Sequence, residues 1–363
     1  MRYNWQQKDW PKFRYTTDAI EDILFDFARR TGRISGVLEG FSETEQTEAM
    51  INLMVSEAIK TSEIEGEYLS RKDVMSSIRR NLGLNPDLPI SKDKRVEGVT
   101  ELMLAIRKHV TSPLTKKMLF DWHTILMKGS SGIHIGQWRT HEEPMQIVSG
   151  AIGREVVHFE APPSHKVPSE MSGFILWFNE SQNRIKKPII RSAIAHLYFQ
   201  SIHPFEDGNG RIGRAVAEKA LSQSIGRPVL FSLSKSIERN KKEYYDALQS
   251  AQRSNEITDW IHYFVKTVLD AQIDAEEEIE FTLKKTKFFD KHQSELNERQ
   301  QKVVRRMLEE GHQGFEGGMN ARKYISIAST SKATATRDLQ DLVHKGIFKP
   351  LGGGRSTRYE IKL

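Results

Sequence analysis

Apolar residues recur at helical spacing through most of this chain. "TTDAIEDILFDFARRTGRISG" and "TEAMINLMVSEAIKTSEIEG" each carry an apolar stripe, which predicts helices over the first 85 or so residues. Gly66 and "NLGLNPDLPIS" supply stop signals. "VEGVTELMLAIRKHV", "LTKKMLFDWHTILMKG", "SEMSGFILWFNESQ" and "PIIRSAIAHLYFQSIHPF" predict further helices. Between them "MQIVSGAIGREVVHFEAPP" has short β-branched runs around Gly150 and Gly153, the pattern of a β-hairpin. "LDAQIDAEEEIEFTLKKTKFFDKHQSELNERQ" reads as a charged helical connector. The tail gives three helices ("NERQQKVVRRMLEE", "NARKYISIAS", "KATATRDLQDLVHKG") and two strands around "GGG". That is the order of a winged helix.

The fold class expected is therefore mainly α. A helical domain spans 1–85, a helical-bundle core with a hairpin 86–275, a connector 276–296, and an α+β winged helix 297–363. There are no internal repeats and no low-complexity tracts. At 363 residues with 38% apolar content, two or three domains with real cores are in reach.

The chain contains no cysteine, which excludes disulfides, thiolate metal sites and a cysteine nucleophile, and fits a cytoplasmic setting. No apolar run approaches the roughly 20 residues that span a bilayer, and the N-terminus lacks a secretory h-region. Net charge is +6. Residues 297–363 hold 13 Lys+Arg against 7 Asp+Glu, a balance of +6, so the whole excess sits in the tail. An acidic partner for that module follows.

The chemistry concentrates in "HPFEDGNGRIGR", residues 203–214. It contains G-x-G-x-x-G, but helical spacing precedes the glycines where a dinucleotide site needs a buried strand, and no acid closes the following "RPVLFSL". No P-loop motif occurs. The segment reads instead as helix, loop, helix, the second helix starting near Asn209. A helix start with unpaired N–H groups at the positive end of the dipole is an anion cradle. Gly208 and Gly210 let the backbone come close to phosphate. Arg211 and Arg214, three apart, can reach one polyphosphate. Asp207 offers a carboxylate to Mg²⁺, and His203 is the natural general base for a hydroxyl attacking bound phosphate.

The stretch matches the motif H-P-F-x-[DE]-G-N-G-R-x-x-R of the Fic family at every specified position, and the chain is identified as resembling that family over roughly residues 100–270. "GQWRT" and "VVHFEAPP" resemble the family's approach to its target-docking flap. "KKEYYDALQSAQ" resembles the segment that closes over adenine. The N-terminal "YNWQQKDWPKF" is similar to the start of a helical domain that precedes the core in a bacterial subgroup. The resemblance implies AMP transfer from ATP to a Ser, Thr or Tyr hydroxyl of a target protein. His203 would be the base and Asp207 the ligand of Mg²⁺, or of Mn²⁺ in its place. Gly208, Asn209 and Gly210 would form the anion hole. Arg211 and Arg214, with Gly213 between them, would hold the phosphates, and Tyr244, Tyr245 and Gln252 would line the nucleotide. Val156, Val157, His158 and Phe159 would pair with an extended target segment.

Upstream, "TSEIEG" matches the inhibitory motif [ST]-x-x-x-E-[GN], which implies that Glu65, with Thr61 and Gly66, restrains the site by pairing with Arg214. Three rivals stay open: AMP removal, transfer of another phosphate-containing group on the same cradle, and a nucleotide-sensing DNA-binding regulator. Self-modification, a homodimer and DNA are the partners this leaves open, with no membrane. In the tail, Thr334, Thr336, Arg337, Arg355 and Arg358 are placed to meet DNA, while Asp338 and Asp341 on the same helix would repel it. His134, His141, His158 and His165 lack metal-ligand spacing, and His196 reads as a packing residue.

Overall fold

The computed structural model describes residues 3–149, 154, 156–311 and 314–363, apart from the side chain of Arg355. Helices dominate. In chain order they are α1 (Glu21–Glu39), α2 (Glu43–Ile64), α3 (Arg71–Asn81), α4 (Lys94–Lys108) and α5 (Lys116–Leu126). A hairpin, β1 (Gln146–Ser149) and β2 (Val156–Glu160), precedes α6 (Val167–Arg184), α7 (Pro188–Ile202), α8 (Asn209–Ile225), α9 (Leu233–Arg239), α10 (Lys241–Ala251) and α11 (Thr258–His292). The tail has α12 (Glu298–Leu308), α13 (Ala321–Ala328), α14 (Lys332–His344), β3 (Phe348–Leu351) and β4 (Arg358–Ile361). The mainly helical class with one small hairpin in the core is as the pattern predicts. Gly150 and Gly153, the expected turn glycines, lie outside the described residues.

Two compact units result: residues up to 42 with 46–275, and 43–45 with 276–363. The N-terminal segment belongs to the first unit by intimate packing. Buried Asn4 donates to Ser201 Oγ at 2.8 Å, and its backbone N–H to the Gln252 carbonyl at 2.8 Å. Trp10 meets the Tyr198 ring edge-on at 5.1 Å. The stretch expected as a connector is helical to His292, because its apolar positions continue the stripe of α11.

α7 forms the axis of the first unit. Pro188 opens it at N1, and every residue from Ile189 to Ile202 is buried. A helix apolar on all sides is buried on all sides. Its one internal charge, Arg191, is fully matched: Nε to Ser181 Oγ, Nη1 to the Ala220 carbonyl, Nη2 to the Phe178 carbonyl and Gln223 Oε1, at 2.7–2.9 Å. Burial lowers its pKa to about 10, which leaves it charged at neutral pH.

In the second unit, Asn297 opens α12 with a capping box. Val303, Val304, Met307 and Leu308 of α12 pack with Tyr324, Leu339, Leu342 and Phe348. The strands β3 and β4 pair antiparallel. Among the described residues, no helix is long and apolar enough to cross a membrane.

Where α4 meets the end of α5, Gly98 has no room for a side chain. A Cβ there would lie 2.7 Å from the Ile125 carbonyl oxygen and 2.8 Å from that of Leu126. Both obstacles are backbone, so Gly98→Ala is expected to lower unfolding free energy by about 1–3 kcal/mol, read from urea titrations followed by circular dichroism. An unchanged midpoint would refute the tight α4–α5 contact.

Candidate active site

The motif is built from the end of α7 and the start of α8. α7 stops at Ile202, and His203 adopts a left-handed conformation, φ 51° and ψ 61°. That turn starts the loop. Asn209 then closes it: its Oδ1 accepts the Phe205 N–H at 2.9 Å and its Nδ2 donates to the Phe205 carbonyl at 2.8 Å. The Asn209 amide is therefore committed to loop shape, and its backbone N–H is what it offers an anion. Ile212 N–H to the Gly208 carbonyl, 3.0 Å, is the first helical bond, so the N–H groups before it have no helical acceptor. Gly208 has φ +77° with the Met127 sulfur 3.0 Å from where a Cβ would stand.

A cavity of about 460 Å³ opens on this helix start. His203, Asp207, Gly208, Asn209, Gly210 and Arg214 line it, with Glu65, His158, Phe159, Tyr244, Tyr245 and Gln252. These sequence-predicted residues come from four separate segments. Burial, then the charge of Arg139, lowers the His203 pKa to about 4. At neutral pH the ring is uncharged and able to accept a proton. Tyr244 is buried and shares a 2.8 Å hydrogen bond with His196 Nε2. Gln252 is also buried, its amide 3.3 Å from the Gln200 carbonyl. Tyr245 is 40% exposed.

Two of the motif residues expected at the site lie off the cavity. Arg211 pairs with Glu67 at 2.7 Å and is buried beside the Met127 sulfur. Gly213 is a packing position: a Cβ would fall 2.2 Å from Gln200 Nε2 and 3.3 Å from the Phe199 ring. The Gln200 amide uses that gap to reach the Asn209 carbonyl at 3.1 Å.

Glu65 follows directly on α2. Gly66, φ +82°, ends the helix with its N–H on the Glu63 carbonyl, and Glu67 N–H returns to the Ser62 carbonyl at 2.9 Å. The Glu65 carboxylate is 2.8 Å from Arg214 Nη2, while Arg214 Nε reaches Thr61 Oγ1 and Nη2 the Thr61 carbonyl, both at 2.8 Å. Glu65 Oε1 also lies 2.1 Å from where a Gly210 Cβ would be. A carboxylate thus rests against the helix start. Burial opposes its ionisation, but Arg214, with help from Arg211 and Lys241, outweighs this and holds its pKa below the ordinary range.

In the hairpin, β1 and β2 pair antiparallel with a bulge between Ile147 and Val148. Ile147, Val148 and Ser149 line the cavity, while Val156 and Val157 are exposed and off it. Two β2 carbonyls are engaged by side chains: His158 by Arg253 at 2.7 Å and Glu160 by Trp5 at 2.7 Å.

Arg139 and His123 were not singled out from the sequence. Arg139 donates to the His203 carbonyl at 2.8 Å, to Ser164 Oγ at 2.8 Å and to the Pro162 carbonyl. It lies in the quoted "GQWRT", so that signal existed. Buried His123 stacks on Phe205 at 4.0 Å. Its Nδ1 accepts the Gly136 N–H at 3.0 Å, so Nε2 carries the proton and donates to the Asp207 carbonyl at 3.1 Å. No spacing rule points to it. His134 pairs with Glu206 at 2.7 Å, and among the described residues no group of three or more His, Asp or Glu is set to hold a metal.

Fold and site together define a Fic-fold protein. A family description, "Fic/DOC family", matches residues 113–221. A second, "Domain of unknown function (DUF4172)", matches residues 3–84. Protein adenylyltransferase Fic of Culex quinquefasciatus is 33% identical over 100 residues, 28% of this chain and 18% of the relative. A probable protein adenylyltransferase of Aquifex aeolicus is 35% identical over 95 residues, 26% and 27% of the two chains. Protein adenylyltransferase Fic of Aedes aegypti is 26% identical over 213 residues, 57% and 38%. The match thus spans well under half the length of each of these relatives. In fold, a Fic family protein from Desulfovibrio desulfuricans superposes with a TM-score of 0.59 at 18% identity, covering 97% of this chain and 98% of that one.

His203 and His196 each titrate near 4 in the folded chain instead of near 6.5, and burial lowers His123 as well. The unfolded chain therefore takes up protons on these rings first as pH falls. Stability contributed by the neutral rings is full above about 6.5 and is lost progressively towards 4. Denaturant titrations at a series of pH values should show unfolding free energy falling across that window. The histidine contribution is checked by His196→Phe, which should flatten part of the fall.

Proposed function

We propose that this protein transfers AMP from ATP to a hydroxyl of a Ser, Thr or Tyr side chain on a target protein, releasing pyrophosphate. The observation that carries this is the neutral, half-buried His203 beside an N–H-lined helix start and Arg214, all in one cavity. The target hydroxyl gives its proton to His203 as its oxygen attacks the α-phosphorus of ATP. The new O–P bond forms as the bond to the β-phosphate oxygen breaks, and pyrophosphate leaves with its charge. Backbone N–H groups at the start of α8 and the Arg214 guanidinium take up phosphate charge. Tyr245, Tyr244 and Gln252 provide the wall for the base. A target segment running along the hairpin brings its hydroxyl to His203 without much sequence reading.

Mg²⁺ fits only as a shared ion. Asp207 is exposed at the cavity with one carboxylate, its Oδ1 2.6 Å from Gly208 N, and phosphate oxygens would complete the coordination. Mn²⁺ accepts the same donors. Bound there, the ion neutralises phosphate charge.

The resting state is restrained. Glu65 occupies Arg214 and the helix start, two of the features ATP's phosphates need. An Arg–carboxylate pair in a partly buried site is strong, and a phosphate entering beside Glu65 meets a like charge.

Purified protein incubated with α-labelled ATP and lysate, with γ-labelled ATP in parallel, tests the function. Label from α alone supports AMP transfer; label from γ alone refutes it in favour of phosphorylation. His203→Ala should reduce transfer by at least about 10²–10⁴-fold with nucleotide affinity nearly unchanged. Wild-type turnover in that variant would remove His203 from the reaction.

Glu65→Gly should raise self-modification and target modification strongly, by at least ~10-fold if phosphate misplacement is what holds the rate down. Arg214→Ala should not, since it deletes the phosphate clamp too. Release of AMP from a pre-modified target, lost in Glu65→Gly, would instead assign Glu65 to AMP removal.

A further inference from the structure

Residues 297–363, within the second unit, carry the chain's entire basic excess, 13 Lys+Arg against 7 Asp+Glu. Whether that charge meets an acidic partner depends on where the acids of α14 point. Asp338 is buried: Arg299 Nε binds it at 2.9 Å and the Tyr324 hydroxyl at 2.9 Å. Asp341 accepts from Gln300 Nε2 at 2.7 Å and Lys345 at 2.5 Å. Both acids are held by partners within the unit. Ala335, Asp338, Leu339 and Leu342 are the buried side of α14.

The opposite side carries Lys332, Thr336, Arg337, Gln340 and His344, all exposed. At 3.6 residues per turn these positions cover an arc of about 140° that contains no acid. Lys332 and Arg337 have no ion-pair partner among the described residues, nor has exposed Arg322 in the first turn of α13. A short turn through Ser329, at φ 51°, leads from α13 to α14, and exposed Arg358 begins β4 on the hairpin. Basic and amide side chains along one exposed helix are suited to phosphates and to base edges. A preceding helix with exposed Arg322 in its first turn, and a following hairpin, match the element order of a major-groove reader.

We propose that the exposed arc of α14, flanked by Arg322 and Arg358, seats on duplex DNA. The cations position the unit on phosphates, and Thr336 and Gln340 lie towards the groove. This is independent of the chemistry at His203. A protein surface is the other class of partner that a basic helix could take, and the test separates the two by salt dependence and by residue.

The experiment is fluorescence anisotropy of the full chain with a labelled mixed-sequence duplex of about 30 base pairs. Binding is expected at about 50 mM salt, weakening steeply as salt rises through counterion release. The double variant K332A/R337A should weaken binding at least ~10-fold and reduce the log–log salt slope by about two. K72A/K117A, which removes two exposed charges from the first unit, should leave both unchanged. Both tail side chains are exposed and unpaired, so thermal melting of the variant should match the parent. Absence of binding at low salt overturns the proposal. So does binding that K332A/R337A leaves intact, or that the control pair weakens equally.

Discussion

The site depends on one buried guanidinium. Arg139, 1% exposed, has no carboxylate partner among the described residues; its charge is carried by carbonyl dipoles and one hydroxyl. Those acceptors belong to two segments that otherwise have no reason to move together, the end of α7 and the turn after β2. Its own backbone N–H adds a third tie, to the Pro204 carbonyl at 2.9 Å. A planar fork of five donors holds several acceptors in a fixed geometry, which the freely rotating ammonium of a lysine does not. Burial brings its pKa down to about 10, still well above neutrality, so the hub stays charged. Burial, with that charge added, keeps His203 neutral. One side chain thus fixes the position of His203 and the foot of the hairpin, and reinforces the neutral state of the ring.

The end of α2 works in the same economical way. Gly66 separates two acids, and each pairs with one arginine of the motif: Glu65 with Arg214, Glu67 with Arg211. The pairs differ in position. Arg214 faces the cavity, and its partner stands where an anion would. Arg211 is turned away, so its pairing anchors the α2 end to α8 without occupying the site. Because both contacts lie within a few residues of one helix terminus, whatever displaces Glu65 acts on a segment already held by Glu67.

Much of the site was legible because it is contiguous. Twelve consecutive residues hold the proposed base, the carboxylate, the glycines and both arginines, and helix-dipole physics explains why anion-binding types gather there. What a local pattern cannot carry is the partner at a distance. Nothing near Arg211 announces Glu67, 144 positions away. Gly213 looks like a phosphate glycine until the Gln200 amide is seen in its place. His123 is an ordinary buried position by spacing, and only the Gly136 N–H on Nδ1 fixes its tautomer. The hairpin was readable as β-branched runs, although which of its carbonyls are taken was not. In the tail, i, i+3, i+4, i+7 spacing places Asp338 with Ala335, Leu339 and Leu342 on the core side. Counting it as an exposed acid overlooked that periodicity.

His203 holds a left-handed backbone that glycine and asparagine adopt more readily than histidine. The proposed chemistry and the backbone therefore ask for different residues at this position. Strain at reacting positions typically costs on the order of 1–3 kcal/mol, kept in place here by the carbonyl bond to Arg139. Replacement by glycine or asparagine would relieve that strain, so a lineage that lost the proposed activity could keep, or even firm up, its fold. Activity in this architecture is something selection has to hold on to, since stability alone gives no reason to retain it.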